Sequence, residues 1–500
     1  MIMRPNAAAG VSKHPTGIQG FDLISEGGLP RARATLVTGT AGSAKTVFAV
    51  QFLVAGILND DEPGVFVTFE DRVEDIRANM LSFGWDIAGW EKKKKWLFVD
   101  AAPDPEEPTA VVGGFDLSAL LARIERAVKQ IGARRVSLDS LNALFIQFAE
   151  HPVLRAELFR ITTVLKRLGV TVLFTAERVD DYGEVTRHGI EEFVADNVVI
   201  LRNLLDNERR RRTVEILKLR GARHQRGEFP FTITSRDGIV VIPLSGIELT
   251  QSSSTKRVTS GVKKLDEMCG GGLFRDSITL VSGATGTGKS LLVTQFMAGG
   301  FEAGERCLLF AFEESKDQLF RNAAAWGYDF ASMEKHERLK VVNRYPHAIA
   351  MEDHLVEMQQ MIADFKPTRV AVDSLSALER VSSIRSFREF VISLTSYLKK
   401  RETVGLFTST TPNLLGGGSV TEKHISTLTD SIILLRYVEA YGQMLRSLNV
   451  LKMRGSAHDT MLRQYTIDGE GMHIGEPFRH VVGILSGAPH FDDDAERGDV

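Results

Sequence analysis

The sequence predicts an α/β protein made of two tandem copies of one domain, each a mostly parallel central sheet flanked by helices. Three observations carry this. Gly39-Thr40-Ala41-Gly42-Ser43-Ala44-Lys45-Thr46 follows the apolar run 34–38 and precedes a helical pattern over 47–58. Gly283-Ala284-Thr285-Gly286-Thr287-Gly288-Lys289-Ser290 stands in the same way between the runs 278–282 and 291–301. Further landmarks then recur in order: Lys289 lies 244 residues after Lys45, Gly261 lies 244 after Gly17, Asp373 lies 234 after Asp139, and Lys452 lies 234 after Lys218. A single loop motif can match by chance; an ordered series with little drift indicates a duplicated domain.

In the first copy, residues 64–69 read as a strand ending on Glu70 and residues 135–138 as one ending on Asp139. Residues 170–175 and 197–201 continue the sheet. The second copy repeats this over 308–312, 370–372, 404–408 and 431–435. Strands alternating with helical patterns imply parallel pairing. The expected boundaries are an N-terminal tail over 1–13, a first domain over 14–249, a polar linker over 250–257, a second domain over 258–487 and a short acidic tail over 488–500.

Composition narrows the function classes. Hydrophobic residues make up 43% of the 500, enough for two cores, and the net charge of −3 gives no sign of a nucleic-acid or membrane partner. Neither of the two cysteines, Cys269 and Cys307, has metal-ligand spacing, so both read as buried thiols in a reducing compartment. No run is apolar and long enough to cross a bilayer, and residues 1–13 lack a signal-peptide core. The expectation is a cytoplasmic protein.

A glycine-rich turn between a buried strand and a helix cradles phosphates with its backbone amides. Its lysine (Lys45, Lys289) reaches the terminal phosphates and its last hydroxyl (Thr46, Ser290) holds Mg²⁺. The first loop has Ala44 where the second has Gly288; a methyl there is tolerable at helical dihedrals and strained at positive φ. Asp139 and Asp373, closing buried strands, are candidates for the Mg²⁺ shell. Glu70-Asp71 and Glu313-Glu314, closing the neighbouring strands, are candidates for aligning or deprotonating a nucleophile. Each alone could be an ordinary turn residue; their duplication beside the loops favours catalysis. Lys218-Leu219-Arg220 and Lys452-Met453-Arg454 end strands late in each copy, followed by His224 and His458. They read either as solvated basic turns or as cations reaching a neighbouring subunit's nucleotide. Ser426-Thr427 face Glu192-Phe193 of the first copy, so these hydroxyls are either candidate phosphoacceptors or local polar caps.

On these residues the chain resembles the KaiC-type circadian clock ATPases. The resemblance runs from Thr16-Gly17 to Ser486-Gly487 through Val67-Thr68-Phe69-Glu70, Asp266-Glu267-Met268-Cys269, Asp373-Ser374-Leu375, His424-Ile425-Ser426-Thr427 and Lys452-Met453-Arg454-Gly455-Ser456. It implies a homohexamer of two stacked RecA-like rings with ATP at the subunit interfaces. The first ring would hydrolyse ATP; the second would phosphorylate and dephosphorylate Ser426 and Thr427, with Thr421 an additional acceptor. Glu313 would sit near Mg²⁺ and Glu314 would activate the hydroxyl, with Glu70 and Asp71 the matching pair. Ser82, Trp326, Arg446, Ser456, His224 and His458 would join both loops and both Lys-x-Arg pairs in contacting nucleotide.

Ala44, Asp71 (one methylene short) and Thr460 depart from the family pattern. The short tail argues against a KaiA-like activator, while a KaiB-like partner stays open. The alternatives are a RecA/DnaB-like DNA-dependent ATPase, against which the neutral charge stands, and an ATP-clamped hexameric scaffold with vestigial phosphorylation.

Overall fold

A computed structural model describes residues 11–102, 117–142, 151–186, 195–206, 209–243, 253–346, 349–411, 428–440, 442–478, 481–482 and 490–491. The chain divides into two compact units, Met1–Gly246 and Ile247–Val500.

Among the described residues the central sheet of the first unit has nine strands: β1 (Ala34–Gly39), β2 (Gly64–Thr68), β3 (Trp96–Asp100), β4 (Arg135–Asp139), β5 (Thr171–Glu177), β6 (Asn197–Asp206), β7 (Arg209–Leu219), β8 (Glu228–Thr234) and β9 (Gly238–Val241). Their order across the sheet is β9-β8-β7-β6-β1-β5-β4-β2-β3. The second unit repeats them as β10 (Ile278–Gly283), β11 (Cys307–Ala311), β12 (Leu339–Asn343), β13 (Arg369–Asp373), β14 (Val404–Thr410), β15 (Ser431–Ala440), β16 (Gln443–Met453), β17 (Arg463–Asp468) and β18 (Gly471–Pro477). Their order, β18-β17-β16-β15-β10-β14-β13-β11-β12, is the same.

The strands read from sequence are present, with edges shifted by a few residues. The run at 197–201 extends to Asp206 because it turns into a hairpin with β7, in register from Asn197↔Leu219 to Asp206↔Arg209. That hairpin makes the sheet mixed: β1 to β6 pair in parallel, and β6 to β9 antiparallel. The edge strand β3 and the closing strands β8 and β9, each bordered by charge, were not legible.

Burial explains why these segments fold as they do. In β2, Val65 and Val67 face one side of the sheet and Phe66 the other, as strand alternation requires. Helix α1 (Lys45–Asn59) is buried on all sides from Phe48 to Ile57, packed under the sheet with Phe66, Trp96 and Phe231. On the opposite face α3 (Ser118–Ile131) buries only Leu121, Ile124, Ala127 and Val128, one helical stripe. Of the other longer helices, α2 is Val73–Leu81, α4 His151–Arg167, α5 Lys289–Glu302, α6 Lys316–Ala325, α7 Met351–Phe365 and α8 Ile384–Lys400. Both cysteines are free and buried, and burial pushes each thiol up to about 12.

A buried arginine ties each unit together. Arg135 is fully buried and donates to the carbonyls of Pro15 at 2.7 Å and Phe52 at 3.0 Å, to Glu62 at 3.0 Å, and to Asp60. Arg369 repeats this with Thr259 O at 2.7 Å, Phe296 O at 3.0 Å and Glu305. Each crosses a helix where a glycine leaves room: a Cβ on Gly56 would lie 2.7 Å from Arg135 Nε, and one on Gly300 2.5 Å from Arg369 Cδ. Arg135→Met leaves two carbonyls and two carboxylates without their donor. It is expected to destabilise the first unit by about 3 kcal/mol, read from chemical denaturation of the nucleotide-free protein.

Candidate nucleotide sites

The loop geometry follows from the strand that delivers it. β1 and β10 are buried end to end, so the chain leaves the sheet abruptly and must turn tightly into α1 or α5. The residue entering the helix is left-handed in both units: Gly288 at φ 92°, ψ 21°, and Ala44 at φ 75°, ψ 29°. Ala44 is therefore in the strained of the two conformations anticipated for it; an L-residue there costs roughly 1–2 kcal/mol. Ala44, like Ile233, packs against the buried core cluster, while a Cβ on Gly288 would come within 2.7 Å of Ile467, the residue corresponding to Ile233. The loop lysines fold back over the turn. Lys45 donates to Gly39 O and Thr40 O, both at 3.0 Å, and Lys289 to Gly283 O and Ala284 O, both at 2.8 Å.

Beside each loop lies a hydroxyl-ringed carboxylate. Thr46 donates to Asp139 Oδ2 at 2.7 Å and Thr175 donates to Asp139 Oδ1. Ser290 and Thr408 do the same for Asp373. Burial pushes both carboxyls above their ordinary range, against those hydrogen bonds. The peptide bonds Asp139–Ser140 and Asp373–Ser374 are both cis. A desolvated carboxylate beside a loop hydroxyl fits a divalent cation, which would be held by Thr46 with Asp139 in the first unit and by Ser290 with Asp373 in the second.

The flanking pairs differ between units. Glu70 accepts from Ser140 Oγ at 3.0 Å, and burial raises its pKa. Glu313 pairs with Arg380, while Glu314 accepts from Asn322 Nδ2 at 3.2 Å; burial, then the nearby Asp373, raise Glu314.

The Lys-x-Arg pairs are not at the loops. The antiparallel hairpin returns β7 and β16 to the sheet's other edge, about one strand length (~20 Å) away. There Lys218 Nζ donates to Ala195 O at 2.9 Å, and Arg220 lies 3.8 Å from Asp196. Lys452 Nζ donates to Thr429 O at 2.7 Å, and Arg454 lies 4.0 Å from Asp430. Asp196 also meets Lys166 at 2.6 Å and Arg33 at 3.3 Å; burial opposes its charge, but these partners hold it below the usual range. Half-buried His224 and His458 follow on the same edge, where Ser456 accepts from Arg257 Nη2 at 2.6 Å.

Ser82 and Trp326 cap the ends of α2 and α6 in corresponding places, and the Arg446 guanidinium lies over Tyr437 at 5.6 Å. Thr460 is exposed, its carbonyl accepting from Asn449. Ser426, Thr427, Thr421, Glu192 and Phe193 lie outside the described residues. Sequence reasoning missed Thr175, Thr408, Ser140 and Glu177; the first two recur as the last residue of Leu173-Phe174-Thr175 and Leu406-Phe407-Thr408, a signal that was there to be read.

The KaiC ATPase domain model matches twice, over residues 14–246 and 258–478. The chain belongs to the KaiC family. It is 62% identical to circadian clock protein KaiC3 of Synechocystis sp. over 487 residues, 97% of this chain and 96% of that protein. It is 55% identical to the circadian clock oscillator protein KaiC of Thermostichus vulcanus over 483 residues (97% and 93%), and 54% identical to that of Synechococcus elongatus over 479 (96% and 92%). The two nine-stranded units are the tandem RecA-like ATPase domains of a KaiC protein. No helix among the described residues is long and apolar enough to cross a membrane.

Two outcomes follow from the geometry. Ala44→Gly removes the left-handed alanine and is expected to raise the first domain's melting temperature by about 2–4 °C, corresponding to about 1 kcal/mol, read by calorimetry. Asp373 binds its proton more tightly folded than unfolded, so nucleotide-free stability falls as pH rises from the ordinary carboxylate range through the raised value. Asp373→Asn is therefore expected to melt higher than wild type at pH 8 without nucleotide, to lose that advantage towards pH 4, and to lose the stabilisation given by Mg-ATP. Melting curves across pH, with and without Mg-ATP, check all three.

Proposed function

We propose that this KaiC-family chain is an ATP-hydrolysing Ser/Thr autokinase and autophosphatase, working as a homohexamer in which each nucleotide lies between neighbouring subunits. One observation carries the reading: the phosphate loop and the Lys-x-Arg pair occupy opposite edges of the same sheet. Only a neighbour's edge can bring Lys218 and Arg220, or Lys452 and Arg454, onto a nucleotide seated on the loop. Both pairs then act as trans cations on developing phosphate charge, a role worth ~10³–10⁵ in rate in other NTPases.

At the first site, the loop amides and Lys45 hold the phosphates, and Glu70, with its raised pKa, takes the proton of the attacking water. At the second, Lys289 holds the phosphates and Glu314 takes the proton of the Ser426 or Thr427 hydroxyl as its oxygen bonds to the γ-phosphorus. The bond to the bridging oxygen breaks, and the electron pair leaves on ADP. Magnesium would be held by Thr46 with Asp139 at the first site and by Ser290 with Asp373 and Glu313 at the second, and would supply charge shielding of the phosphates. A new phosphate adds about −1.5 to −2 charge, a signal readable by a KaiB-like partner in a circadian-type timer. A KaiA-like activator is not required by this scheme.

Purified protein incubated with Mg-ATP alone is expected to gain phosphate on Ser426 or Thr427, by intact mass and phosphopeptide mapping. Glu314→Gln should lower the initial rate ~10²-fold or more. Continued ADP release with no phosphoprotein in the wild type would reduce the reading to a KaiC-type ATPase.

A further inference from the structure

The two domains differ at one position beside the phosphate loop that the catalytic pairs do not include. Glu177 closes β5 and lies in register with Gly39, the last residue before the first loop. In the second domain the residue in register with Gly283 is Thr410. Their backbones are held alike: Glu177 N–H donates to Asn142 Oδ1 at 3.1 Å, and Thr410 N–H donates to Ser376 Oγ at 2.8 Å. Asn142 then does what Ser376 is too short to do, donating from Nδ2 to Glu177 Oε2 at 3.2 Å. Asn142 is buried, so the Glu177 carboxylate is aimed rather than loose. It lines a cleft of about 370 Å³ with Thr40, Ala41, Arg178, Asp181 and Arg210, at the start of the loop. Three carboxylates, Glu177, Asp139 and Glu70, act on Lys45, whereas Asp373 and Glu313 act on Lys289.

The chemistry gives this difference a meaning. A hydroxyl carried on the chain is positioned by the chain. A water molecule has no tether, so hydrogen-bond acceptors must fix its oxygen in line with the bond that breaks. One acceptor leaves it free to swing; two acceptors at an angle do not.

We propose that Glu177 is the second water-holding carboxylate of the first site, acting with Glu70 to orient the attacking water, and that Thr410 leaves the second site without this device. The proposal rests on the reading of the first domain as an ATP hydrolase. In the step, Glu70 accepts one water proton while Glu177 accepts a hydrogen bond from the other. The water oxygen bonds to the γ-phosphorus, the bond to the bridging oxygen breaks with its electron pair leaving on ADP, and the proton passes on to phosphate or solvent.

The test uses the full chain in a Glu313→Gln/Glu314→Gln background, so that ADP release reports the first site. Glu177→Gln, isosteric and still able to meet Asn142, is expected to lower kcat ~10²-fold. KM and the affinity for a non-hydrolysable ATP analogue, read by calorimetric titration, should stay within about threefold. Glu177→Thr should behave the same way, and Asn142→Ser should lower kcat less. In the otherwise wild-type chain, Glu177→Gln should leave Ser426/Thr427 phosphorylation in place. Unchanged kcat in Glu177→Gln while Glu70→Gln is inactive would overturn the proposal and leave the hydrolase reading standing. Equal losses in kcat and analogue affinity would assign Glu177 a structural role and also overturn it. No ADP release in the unsubstituted background would remove the hydrolase reading, and this proposal with it.

Discussion

Each domain is organised around a carboxylate held away from water by the sheet itself. Asp139 and Asp373 close the strand next but one to the phosphate-loop strand, and the hydroxyls of Thr175 and Thr408, on the strand between, reach across to them. The loop's own hydroxyl reaches from the other side. A carboxylate so placed is costly in the nucleotide-free protein, since its hydrogen bonds do not cancel desolvation. The structure accepts that instability because strand order brings three elements, the loop, β4 or β13, and β5 or β14, to a single edge. A metal and a polyphosphate arriving there would relieve the strain on both the aspartate and the loop lysine.

The same sheet order separates each Lys-x-Arg pair from the loop of its own domain. A parallel strand ends at the catalytic edge, and an antiparallel strand paired to it must end at the opposite one. Lys218-Leu219-Arg220 and Lys452-Met453-Arg454 are therefore carried away from their own loops by β7 and β16, and their cations settle around Asp196 and Asp430. Those aspartates also cap the first N–H of the loop strands, Ala34 at 3.1 Å and Ile278 at 2.8 Å. The far edge is thus coupled to the loop through one rigid strand, six residues long in each unit. That is a short path between a domain's loop and its own Lys-x-Arg pair.

Much of this was legible in the sequence because it is local or repeated. The loops, the strands that precede them, and the acids that close strands are contiguous motifs, and duplication raised each above chance. What was not legible depends on register. The repeated Leu-Phe-Thr singles out Thr175 and Thr408, but that Thr175 meets Asp139 follows only once β4 and β5 are aligned in parallel. Arg135 and Arg369 carry no sequence signal of burial, yet they are enclosed, because Gly56 and Gly300 open a path across a helix that no local pattern reveals. The dihedrals at Ala44 were posed as a question by composition and answered only by the turn.

Duplication also shows which parts of the scaffold are free to diverge. The frame is kept to the hydrogen bond: the same strand order, the same lysine-to-carbonyl contacts, the same buried arginine, and a side-chain acceptor at the same position for the N–H at the end of β5 and β14. The changes cluster around the carboxylates beside the phosphate loop. Glu70 leans on Ser140, while its counterpart Glu313 is drawn outward by Arg380. The raised carboxyl is the first of the pair in one domain and the second in the other. Asn142 and Glu177 give way to Ser376 and Thr410. A domain that must place an untethered nucleophile needs acceptors fixed to its own strands. A domain whose nucleophile belongs to the polypeptide can leave that work to the segment that carries it. The asymmetry between two frames of the same strand order is what the proposed division of labour between hydrolysis and phosphotransfer would require.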